Sequence, residues 1–456
     1  MKTKRKKRQE AEFNRRDFLK GGSLATMMAM LGGVELRAQV PEAKPEEQEP
    51  GALVKCGVIG LGARGREIVS TLTRLKEAEI SAVCDKYPPF LKRGGNLAPK
   101  AKAVGDYRPI LDDKEIKAVV IATPTHQHKE IVKDAFQAGK HVYCEAPLAH
   151  TIEDARAIAQ AARAANRQVF QAGLQMRSDP QRHFLLPFIR AGALGNIAMA
   201  RAQWHKKQSW RAAAPTPERE REMNWRLRNS SSTGIMGEIG IHQLDMCGLF
   251  LNTRPVSVTG FGSLIHWNDG RDVPDTVQTI VEYPGGVRLI YHATLVNSFD
   301  SDYEMYYGSD AAVMLRENKA WMFKEVDSPL LGWEVYARKD TFYKETGIAL
   351  VANATKLAAQ GEKPVEEAPF TNTPLYYALE AFITNVNEIS TAVEDFSASF
   401  NINDKPALEK YLADIRLQPH ATWMDGYGAT VVAIKANEAV VKGQKITFQK
   451  EWFELG

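Results

Sequence analysis

A histidine and two carboxylates recur at helical spacing in the segment "GEIGIHQLDMCGLFL". Glu238, His242 and Asp245 stand at positions i, i+4 and i+7 of a helix that is predicted to start near Gly237, so an α-helix places them on one stripe. Such a stripe can hold an imidazole in one tautomer and tune its pKa for proton transfer. On periodicity alone, a solvated polar face and a metal site remain alternatives.

A glycine-rich turn provides a second chemical signal. The segment "LVKCGVIGLGARGREIVSTLTRL" predicts a buried strand over 54–59, a turn with three glycines, and then a helix. Gly60 permits the tight turn, Gly62 lets the backbone approach a pyrophosphate, and Gly65 lets the helix pack on the strand. The free N–H groups at the start of the helix would face the phosphates. The pattern therefore predicts a dinucleotide site, with a nucleotide-free α/β domain as the alternative.

An acidic residue ends the next predicted strand. Asp85 follows "EISAVC" and stands 20 residues after Gly65. A carboxylate at this point accepts hydrogen bonds from the ribose hydroxyls of NAD and repels the 2′-phosphate of NADP. The sequence therefore favours NAD, while the neighbouring Lys86 keeps NADP as a minority alternative.

Two further strands position polar residues at one edge of the predicted sheet. The segment 118–144 predicts a strand over 118–122, a helix over 128–138 and a strand over 141–144. Such alternation predicts a doubly wound parallel sheet, whose ligands bind beyond the carboxyl ends of the strands. The residues at those ends are Thr123, Pro124, His126, His128, Glu145 and Pro147. The H-x-H pair has no cysteine or acidic cluster at ligand spacing, so we predict no metal site.

Shorter strands joined by turns dominate the rest of the chain. They are predicted over 197–204, 256–264, 276–283, 287–295, 303–308 and 313–315, and "EYPGGVRL" is a hairpin signal. The predicted fold class is therefore α/β. A doubly wound parallel sheet over 54–177 precedes an α+β domain over 178–456, which has a large, mainly antiparallel open sheet packed by helices on one face.

The N-terminus has the layout of an export leader. Residues 1–38 contain a basic stretch, the pair Arg15 and Arg16 followed by "DFLK", and a weakly apolar run over 21–33 that is too short to span a bilayer. The pattern predicts a twin-arginine signal and a periplasmic or otherwise exported protein. Residues 39–53 are rich in Pro and Glu and predict a solvated linker.

The leader also accounts for the basic charge of the chain. Residues 1–38 hold ten Lys/Arg and four Asp/Glu, a net +6, so the remainder of the +4 chain is near −2. We therefore predict no nucleic-acid partner. No segment after the leader has the length and apolarity of a membrane span, and the four cysteines lack the spacing of a disulfide framework.

Taken together, the segments "GVIGLGARG", "ATPTHQH", "HVYCEAPLA", "WRLRNSSSTGIMGEIGIHQLD" and "VVAIKANEAV" resemble the Gfo/Idh/MocA family of nicotinamide-dependent oxidoreductases. The resemblance covers roughly residues 54–449 and implies a Rossmann domain followed by an open-sheet domain. It also implies carbohydrate or polyol substrates that react at a carbon bearing oxygen.

The resemblance implies a role for each matching residue. Gly60, Gly62, Arg64 and Gly65 should hold the pyrophosphate and Asp85 the ribose. Thr123, Pro124, His128, Glu145 and Pro147 should lie along the nicotinamide half of the cofactor. His242 matches the usual catalytic histidine, with Glu238 and Asp245 as its acidic neighbours and Tyr143 as a further candidate base.

Two residues depart from the family pattern. Ala146 stands where the family signature Glu-Lys-Pro has its lysine, and Glu238 stands where many members have Asp. The missing lysine leaves three hypotheses open. The first is a dehydrogenase with His242 as general acid/base. The second is a redox-neutral NAD-dependent glycoside hydrolase, which oxidises a ring hydroxyl, eliminates the glycosidic group, adds water and returns the hydride. The third is a non-catalytic exported sugar-binding protein.

Basic and aromatic side chains are candidates for a saccharide pocket. They are Arg177, Trp204, Trp210, Trp225 and Arg226, although surface or oligomer contacts explain such residues equally well. His205 and Tyr303 are minority candidates for a base. Members of the family commonly pair through the open sheet face, so the resemblance implies a homodimer or homotetramer.

Overall fold

The computed structural model describes residues 52–331, 334, 339–342, 345–350 and 370–456. The predicted leader, and the predicted linker up to residue 51, lie outside the described residues. Among the described residues, no helix combines the length and apolarity needed to cross a membrane.

The first sheet has six parallel strands in the order β3-β2-β1-β4-β5-β6. Its strands are β1 (Val54–Ile59), β2 (Ala78–Cys84), β3 (Lys102–Val104), β4 (Ala118–Ile121), β5 (His141–Cys144) and β6 (Phe170–Ala172). The helices between and after them are α1 (Ala63–Leu72), α2 (Pro88–Gly95), α3 (Arg108–Asp112), α4 (His128–Gln137) and α5 (Ile152–Ala164). The doubly wound parallel sheet predicted from the alternating pattern is confirmed.

Among the described residues, the second sheet has ten strands in the order β14-β15-β13-β12-β11-β7-β10-β9-β8-β16. Its strands are β7 (Ile197–His205), β8 (Ser257–Ser263), β9 (Thr276–Glu282), β10 (Arg288–Thr294), β11 (Asp302–Gly308), β12 (Ala311–Arg316), β13 (Lys319–Lys324), β14 (Lys339–Phe342), β15 (Glu345–Ala349) and β16 (Ile446–Thr447). The helices after β6 are α6 (Pro180–Arg190), α7 (Pro217–Met223), α8 (Ile241–Leu251), α9 (Pro374–Ser399), α10 (Lys405–Ala413) and α11 (Trp423–Lys442).

Most pairs in the second sheet are antiparallel, as predicted, but β10 runs parallel to β7. The hairpin predicted from "EYPGGVRL" joins β9 to β10, and Gly285 and Gly286 supply the positive φ angles that its turn needs. Leu289, Tyr291 and Ala293 alternate along β10 toward the buried face. This inner face packs against helices α8 and α11, which positions α8 between the two sheets.

A helix from the C-terminal part of the chain completes the first domain. Helix α9 contributes Leu379 and Phe382 to the core on one face of the first sheet, where Phe382 packs edge-on against Tyr143. The buried residues of α9 are apolar except for Asn385. The boundary at residue 177 remains a prediction, and residues 374–399 pack with the sheet on the other side of that boundary.

The helix with the histidine begins earlier than Gly237. Helical backbone starts at residue 234, and a π-helical turn over Met236–Gly240 precedes α8. A π turn inserts one residue into the helical repeat and therefore rotates the side chains before it relative to those after it. The prediction of a single stripe assumed a continuous α-helix, but Glu238 and Asp245 bind different partners and neither bonds His242.

Candidate active site at the carboxyl edge of the first sheet

The turn after β1 has the shape that a dinucleotide needs. Gly60 has φ of +95°, and a Cβ atom on Gly65 would lie 1.8 Å from the carbonyl oxygen of Gly60. A Cβ atom on Gly62, by contrast, would meet no protein atom within 4 Å. Gly62 is the N-cap of helix α1, whose first N–H groups donate no hydrogen bond to a capping side chain. The turn thus combines a tight backbone with an open, positively polarised helix end.

Asp85 lies directly beside this turn. Its Oδ2 accepts a hydrogen bond of 2.8 Å from the N–H of Leu61, and its Oδ1 accepts one of 2.8 Å from the N–H of Tyr87. The carboxylate therefore fixes the glycine turn against the end of β2. Lys86, the residue behind the NADP alternative, forms a surface ion pair of 3.1 Å with Glu222.

The loop after β4 contains one buried hydroxyl group without a partner. The Oγ1 atom of Thr123 is buried and has no hydrogen-bond partner in the described part of the chain. His128 lies behind it, 1% exposed, with Nε2 2.9 Å from the Thr123 carbonyl and Nδ1 3.1 Å from the Leu148 carbonyl. Burial lowers the pKa of His128 to about 4. A neutral imidazole has one N–H, so His128 donates to only one of these two carbonyl groups. Its predicted place along the nicotinamide half of the cofactor stays a prediction.

Arg64 connects the start of α1 to the segments that follow β5 and β6. Its Nε donates to Glu145 Oε1 at 3.0 Å, its Nη2 to Gln175 Oε1 at 2.6 Å, and its Nη1 to Glu67 Oε2 at 3.0 Å. Burial raises the pKa of the Glu145 carboxyl, and the charge of Arg64 opposes that rise. The guanidinium predicted to bind the pyrophosphate is therefore directed across the cleft toward Glu145, next to the half-buried Ala146.

Glu238 is held by hydroxyl groups rather than by His242. Its Oε1 accepts hydrogen bonds from Thr125, Ser232 and Thr233 at 3.2–3.4 Å, and its Oε2 accepts one from Arg226 Nε at 3.3 Å. Burial raises the pKa of Glu238, and the charge of Arg226 opposes the rise. With these four donors the carboxylate is a link between the second domain and the loop after β4, and not a free base.

His242 has no protein hydrogen bond on its buried nitrogen. Nδ1 is buried without a partner among the described residues, so neither Glu238 nor Asp245 fixes the tautomer, as the single-stripe prediction required. Burial, and secondarily the charge of Arg64, lowers the pKa of His242 to about 4. A neutral imidazole near Arg64 can accept a proton from a ligand in the cleft.

Asp245 is engaged by Arg177. Arg177 donates from Nε and Nη2 to the two oxygens of Asp245, and from Nη1 to Asp425 Oδ1 at 2.7 Å. Arg177 follows β6 in a short 3₁₀ turn, Gln175–Ser178, and Asp425 lies in the first turn of α11. The prediction that Arg177 binds substrate is therefore corrected. All three guanidinium nitrogens of Arg177 donate to carboxylates, and the residue fixes the helix of His242 to the first sheet.

Two of the other three candidate bases lie away from His242, and the role of Tyr143 as a base stays a prediction. Tyr143 is 0% exposed in the core against Phe382, and its hydroxyl reaches no partner within the described residues. His205 and Tyr303 lie on the outer face of the second sheet, opposite α8, where His205 Nε2 is 3.0 Å from His292 Nδ1. Alternation along the strands turns both side chains away from His242.

An aromatic wall lies beside Glu238. The guanidinium carbon of Arg226 is 5.1 Å from the ring centroid of Trp225 and 5.8 Å from that of Trp210. Trp204 packs half-buried on the inner face of the sheet. Of the predicted saccharide residues, the structure therefore brings Trp225 and Arg226 to the site, and the substrate role of Trp204 stays a prediction.

Sequence reasoning missed the residues that support the site. Thr125, Ser232 and Thr233 donate hydroxyl hydrogen bonds to Glu238. Gln175 accepts a hydrogen bond from Arg64, and Asp425 is the second partner of Arg177. Only the "SSST" run before the helix offered a local signal, as a cluster of helix-capping residue types. Within the described residues, no group of three or more His, Cys, Asp or Glu could hold a metal ion.

Two family models match the chain in the order of its two sheets. Residues 54–173 match the oxidoreductase family with an NAD-binding Rossmann fold, and residues 187–313 match the GFO/IDH/MocA C-terminal domain. The chain belongs to the Gfo/Idh/MocA family. The Rossmann domain and NAD as its cofactor are thereby confirmed.

Curated relatives of this Gfo/Idh/MocA protein include enzymes of several kinds. Levoglucosan dehydrogenase of Pseudarthrobacter phenanthrenivorans is 31% identical over 205 residues, 40% of this chain and 50% of the relative. The 2,7-anhydro-N-acetylneuraminate hydratase of Escherichia coli is 26% identical over 51% of this chain and 60% of the relative. A glycosyl hydrolase family 109 protein of Shewanella is 31% identical over 31% of this chain and 35% of the relative. The chain thus aligns with about half, or less, of the length of several curated relatives.

Solved structures share the fold over almost their whole length. Levoglucosan dehydrogenase in complex with NADH superposes with a TM-score of 0.63 at 19% identity, covering 86% of this chain and 98% of that chain. An oxidoreductase domain protein from Kribbella flavida gives a TM-score of 0.63 at 18% identity, covering 88% and 100%. At this identity the likeness establishes the shared fold.

The residues at the carboxyl edge of the first sheet fit NAD. The open space beside Gly62 admits a pyrophosphate, Asp85 can accept from ribose hydroxyls, and the unpartnered Oγ1 of Thr123 can bond the nicotinamide half. Bound NAD supplies a hydride acceptor at the end of the sheet toward which His242 is held.

Proposed function

We propose that the protein is an oxidoreductase that uses tightly bound NAD on a carbohydrate or polyol, with His242 as the general acid/base. One observation carries this proposal: the helix of His242 is attached on both sides to the cofactor edge of the first sheet. Glu238, before the histidine, binds Thr125 after β4, and Asp245, after it, binds Arg177 after β6. The imidazole lies between these two attachments, and no hydrogen bond within the described residues engages its Nδ1.

The protein's own residues divide the work. Asp85 and the glycine turn bind the cofactor, Arg64 and Glu145 line the cleft, and His242 holds the transferred proton. The neutral state of His242 suits removal of a hydroxyl proton, since a neutral imidazole is the base form. General-base assistance of this kind contributes about 10²- to 10⁴-fold to a rate.

The test is turnover of the purified protein with free sugars and polyols, followed as NADH absorbance. His242→Ala should lower the rate by about 10²- to 10⁴-fold while bound NAD is retained. His205→Ala, on the outer face of the sheet, is the matched control and should keep full activity. Normal turnover of His242→Ala would refute the assignment of the base.

A second candidate function is redox-neutral cleavage of glycosides. Two observations favour it: Ala146 provides no cation where the family signature has lysine, and some relatives are named glycosyl hydrolase family 109 proteins. Aryl glycosides, incubated with the protein without added NAD, separate the candidates. Release of phenol without net NADH would reject a simple dehydrogenase, whereas stoichiometric NADH from free sugars without cleavage would reject the glycosidase.

We also propose export through the twin-arginine route. "NRRDFLKGGS" over 14–23 supports it, and a protein that needs NAD can acquire it only where NAD is made, which suits export in the folded state. The test is the location of the full chain in a bacterial host, with Arg15→Lys/Arg16→Lys as the variant. Unchanged export of that variant would contradict the proposal.

Finally, we propose a homodimer or homotetramer assembled through the outer face of the second sheet. Apolar side chains are exposed there on neighbouring strands, including Phe261 at 60%, Ile280 at 44% and Ile290 at 39%. An apolar patch of this kind is typical of an interface. Sedimentation of the wild type and of Ile280→Lys tests it: we expect an oligomer that the charge dissociates, and a monomeric wild type would contradict the proposal.

A further inference from the structure

Arg226 is confined on three sides. Its guanidinium carbon is 5.1 Å from the ring centroid of Trp225 and 5.8 Å from that of Trp210. Its Nε donates a hydrogen bond to Glu238. Such cation–π contacts fix the plane of the group. The side chain is nonetheless 42% exposed, so its remaining atoms are accessible from solvent. Arg226 is therefore an ordered arginine at an open site.

Trp210 is held in an uncommon backbone conformation. Its φ is +63°, in the left-handed region where Cβ crowds the backbone. The flanking residues are fixed on both sides. Arg271 donates to the Ser209 carbonyl, while Asn224, 3% exposed, accepts from the Ala212 N–H at 2.7 Å and donates to its carbonyl at 3.0 Å. A bulky residue kept in this region by surrounding contacts is typical of functional sites.

Arg226 keeps unused donors. Within the described residues, its Nη1 and Nη2 make no hydrogen bond, so two parallel groups of N–H donors remain for a ligand. Glu238 balances the positive charge at 3.3 Å. The charge of Arg226 is already balanced. A neutral ligand with two adjacent oxygen atoms therefore matches its two Nη groups better than an anion does.

We infer that Trp210 is a positioning residue for substrate recognition: with Trp225 it holds the Nη groups of Arg226 toward two neighbouring hydroxyl groups of a neutral pyranose. This inference rests on the proposed function, because it names the substrate class of the same site. Trp210 acts through Arg226 and takes no part in proton transfer, so its removal affects sugar affinity and not the chemical step.

Calorimetry on the NAD-loaded protein tests the inference with a panel of neutral methyl pyranosides and the corresponding uronates. At least one neutral pyranoside should bind, and more tightly than its uronate. Trp210→Ala should weaken that binding about tenfold, and Trp210→Phe should restore most of it. Trp452→Ala, which removes another cation–π pair (with Lys435, 3.9 Å away), is the control and should leave sugar affinity unchanged.

A double-mutant cycle isolates the route of the effect. In the Arg226→Ala background, Trp210→Ala should cause no further loss of sugar affinity, because its effect passes through Arg226. An equal loss in both backgrounds, tighter binding of the uronates, or no binding of any neutral pyranoside would each overturn the inference.

Kinetics separate this inference from the proposed function. With any sugar that is turned over, Trp210→Ala should raise KM about tenfold and leave kcat within about threefold. Calorimetric binding that follows the predicted pattern without turnover would uphold the recognition site and refute the proposed reaction. Turnover with a KM that Trp210→Ala does not change would uphold the proposed reaction and refute the recognition site.

Discussion

Arg177 holds both carboxylate oxygens of Asp245 at 2.8 Å, although the two residues are 68 positions apart in the chain. Asp245 stands one helical turn after His242, so this pair sets the position of the histidine relative to the first sheet. Arg177 also binds Asp425, in the first turn of α11. One guanidinium thus joins the end of β6, the helix of the histidine and the last long helix.

Removing this guanidinium should destabilise the whole protein. Arg177→Ala leaves the buried carboxylate of Asp245, 4% exposed, without its partner, and a loss of about 3–5 kcal/mol in the free energy of unfolding is expected. Arg177→Lys should lose less, because it keeps the charge. Urea denaturation measures both. Arg108→Ala, at an exposed pair with Asp106, is the control and should cost much less; an equal cost at both sites would contradict the assigned role.

Gly62 and Gly65 should respond to alanine in opposite ways. Gly62→Ala meets no protein atom within 4 Å, so the free energy of unfolding without NAD should change by less than about 0.5 kcal/mol, while NAD affinity falls at least about tenfold. Gly65→Ala places Cβ 1.8 Å from the Gly60 carbonyl and should cost about 1–3 kcal/mol. Denaturation and NAD titration measure the two effects. Unchanged NAD affinity in Gly62→Ala would mean that the cofactor lies elsewhere.

The pH dependence should report His242. Burial and the charge of Arg64 lower its pKa to about 4, below the ordinary 6.5, so the base form persists in weak acid. The acid limb of kcat/KM should therefore lie well below pH 6.5. Arg64→Gln removes the repelling charge and should move the limb upward, whereas Arg64→Lys should leave it in place.

The same shift predicts a loss of stability in acid. The unfolded chain protonates His242 below about pH 6.5, and the folded chain does not until about pH 4. The free energy of unfolding should accordingly fall as the pH falls across this window. The loss should be smaller in His242→Gln, measured by urea denaturation at pH 7, 6 and 5. An identical pH dependence in the two proteins would contradict the shift.

Asp85 should control the choice between NAD and NADP. Asp85→Asn keeps the shape of the side chain and removes the charge that repels a 2′-phosphate, beside Lys86. The ratio of NADP to NAD affinity should rise about tenfold. Fluorescence titration of both cofactors measures it, with Asp106→Asn, an exposed carboxylate in the same domain, as the control. A ratio that does not change would show that another residue reads the ribose.

Local sequence patterns predicted the strands and the cofactor turn well. The strand over 54–59, the strand over 141–144 and the helix that begins at His128 all follow from short apolar or helical periods, which depend on neighbours in the sequence. The glycine turn and Asp85 were found for the same reason, since one strand–helix–strand unit contains them.

Partners distant in the sequence could not be predicted. Nothing near Arg177 indicates that it binds Asp245 and Asp425 rather than a sugar, and nothing near Tyr143 shows that residues 374–399 cover it. The close approach at Gly237 was missed as well, although both residues are near in the sequence: a Cβ atom on Gly237 would lie 1.8 Å from Thr233 Oγ1. That crowding is visible only in three dimensions.

The position of α9 sets the order in which the molecule can be completed. The six strands of the cofactor sheet are all made by residue 172, but Leu379 and Phe382, which close one face of its core, follow about 200 residues later. At roughly 5–20 residues per second, this corresponds to about 10–40 s on the ribosome. The cofactor domain therefore cannot reach its native core during synthesis of its own strands. Both domains therefore complete their native cores together, after most of the polypeptide has emerged from the ribosome.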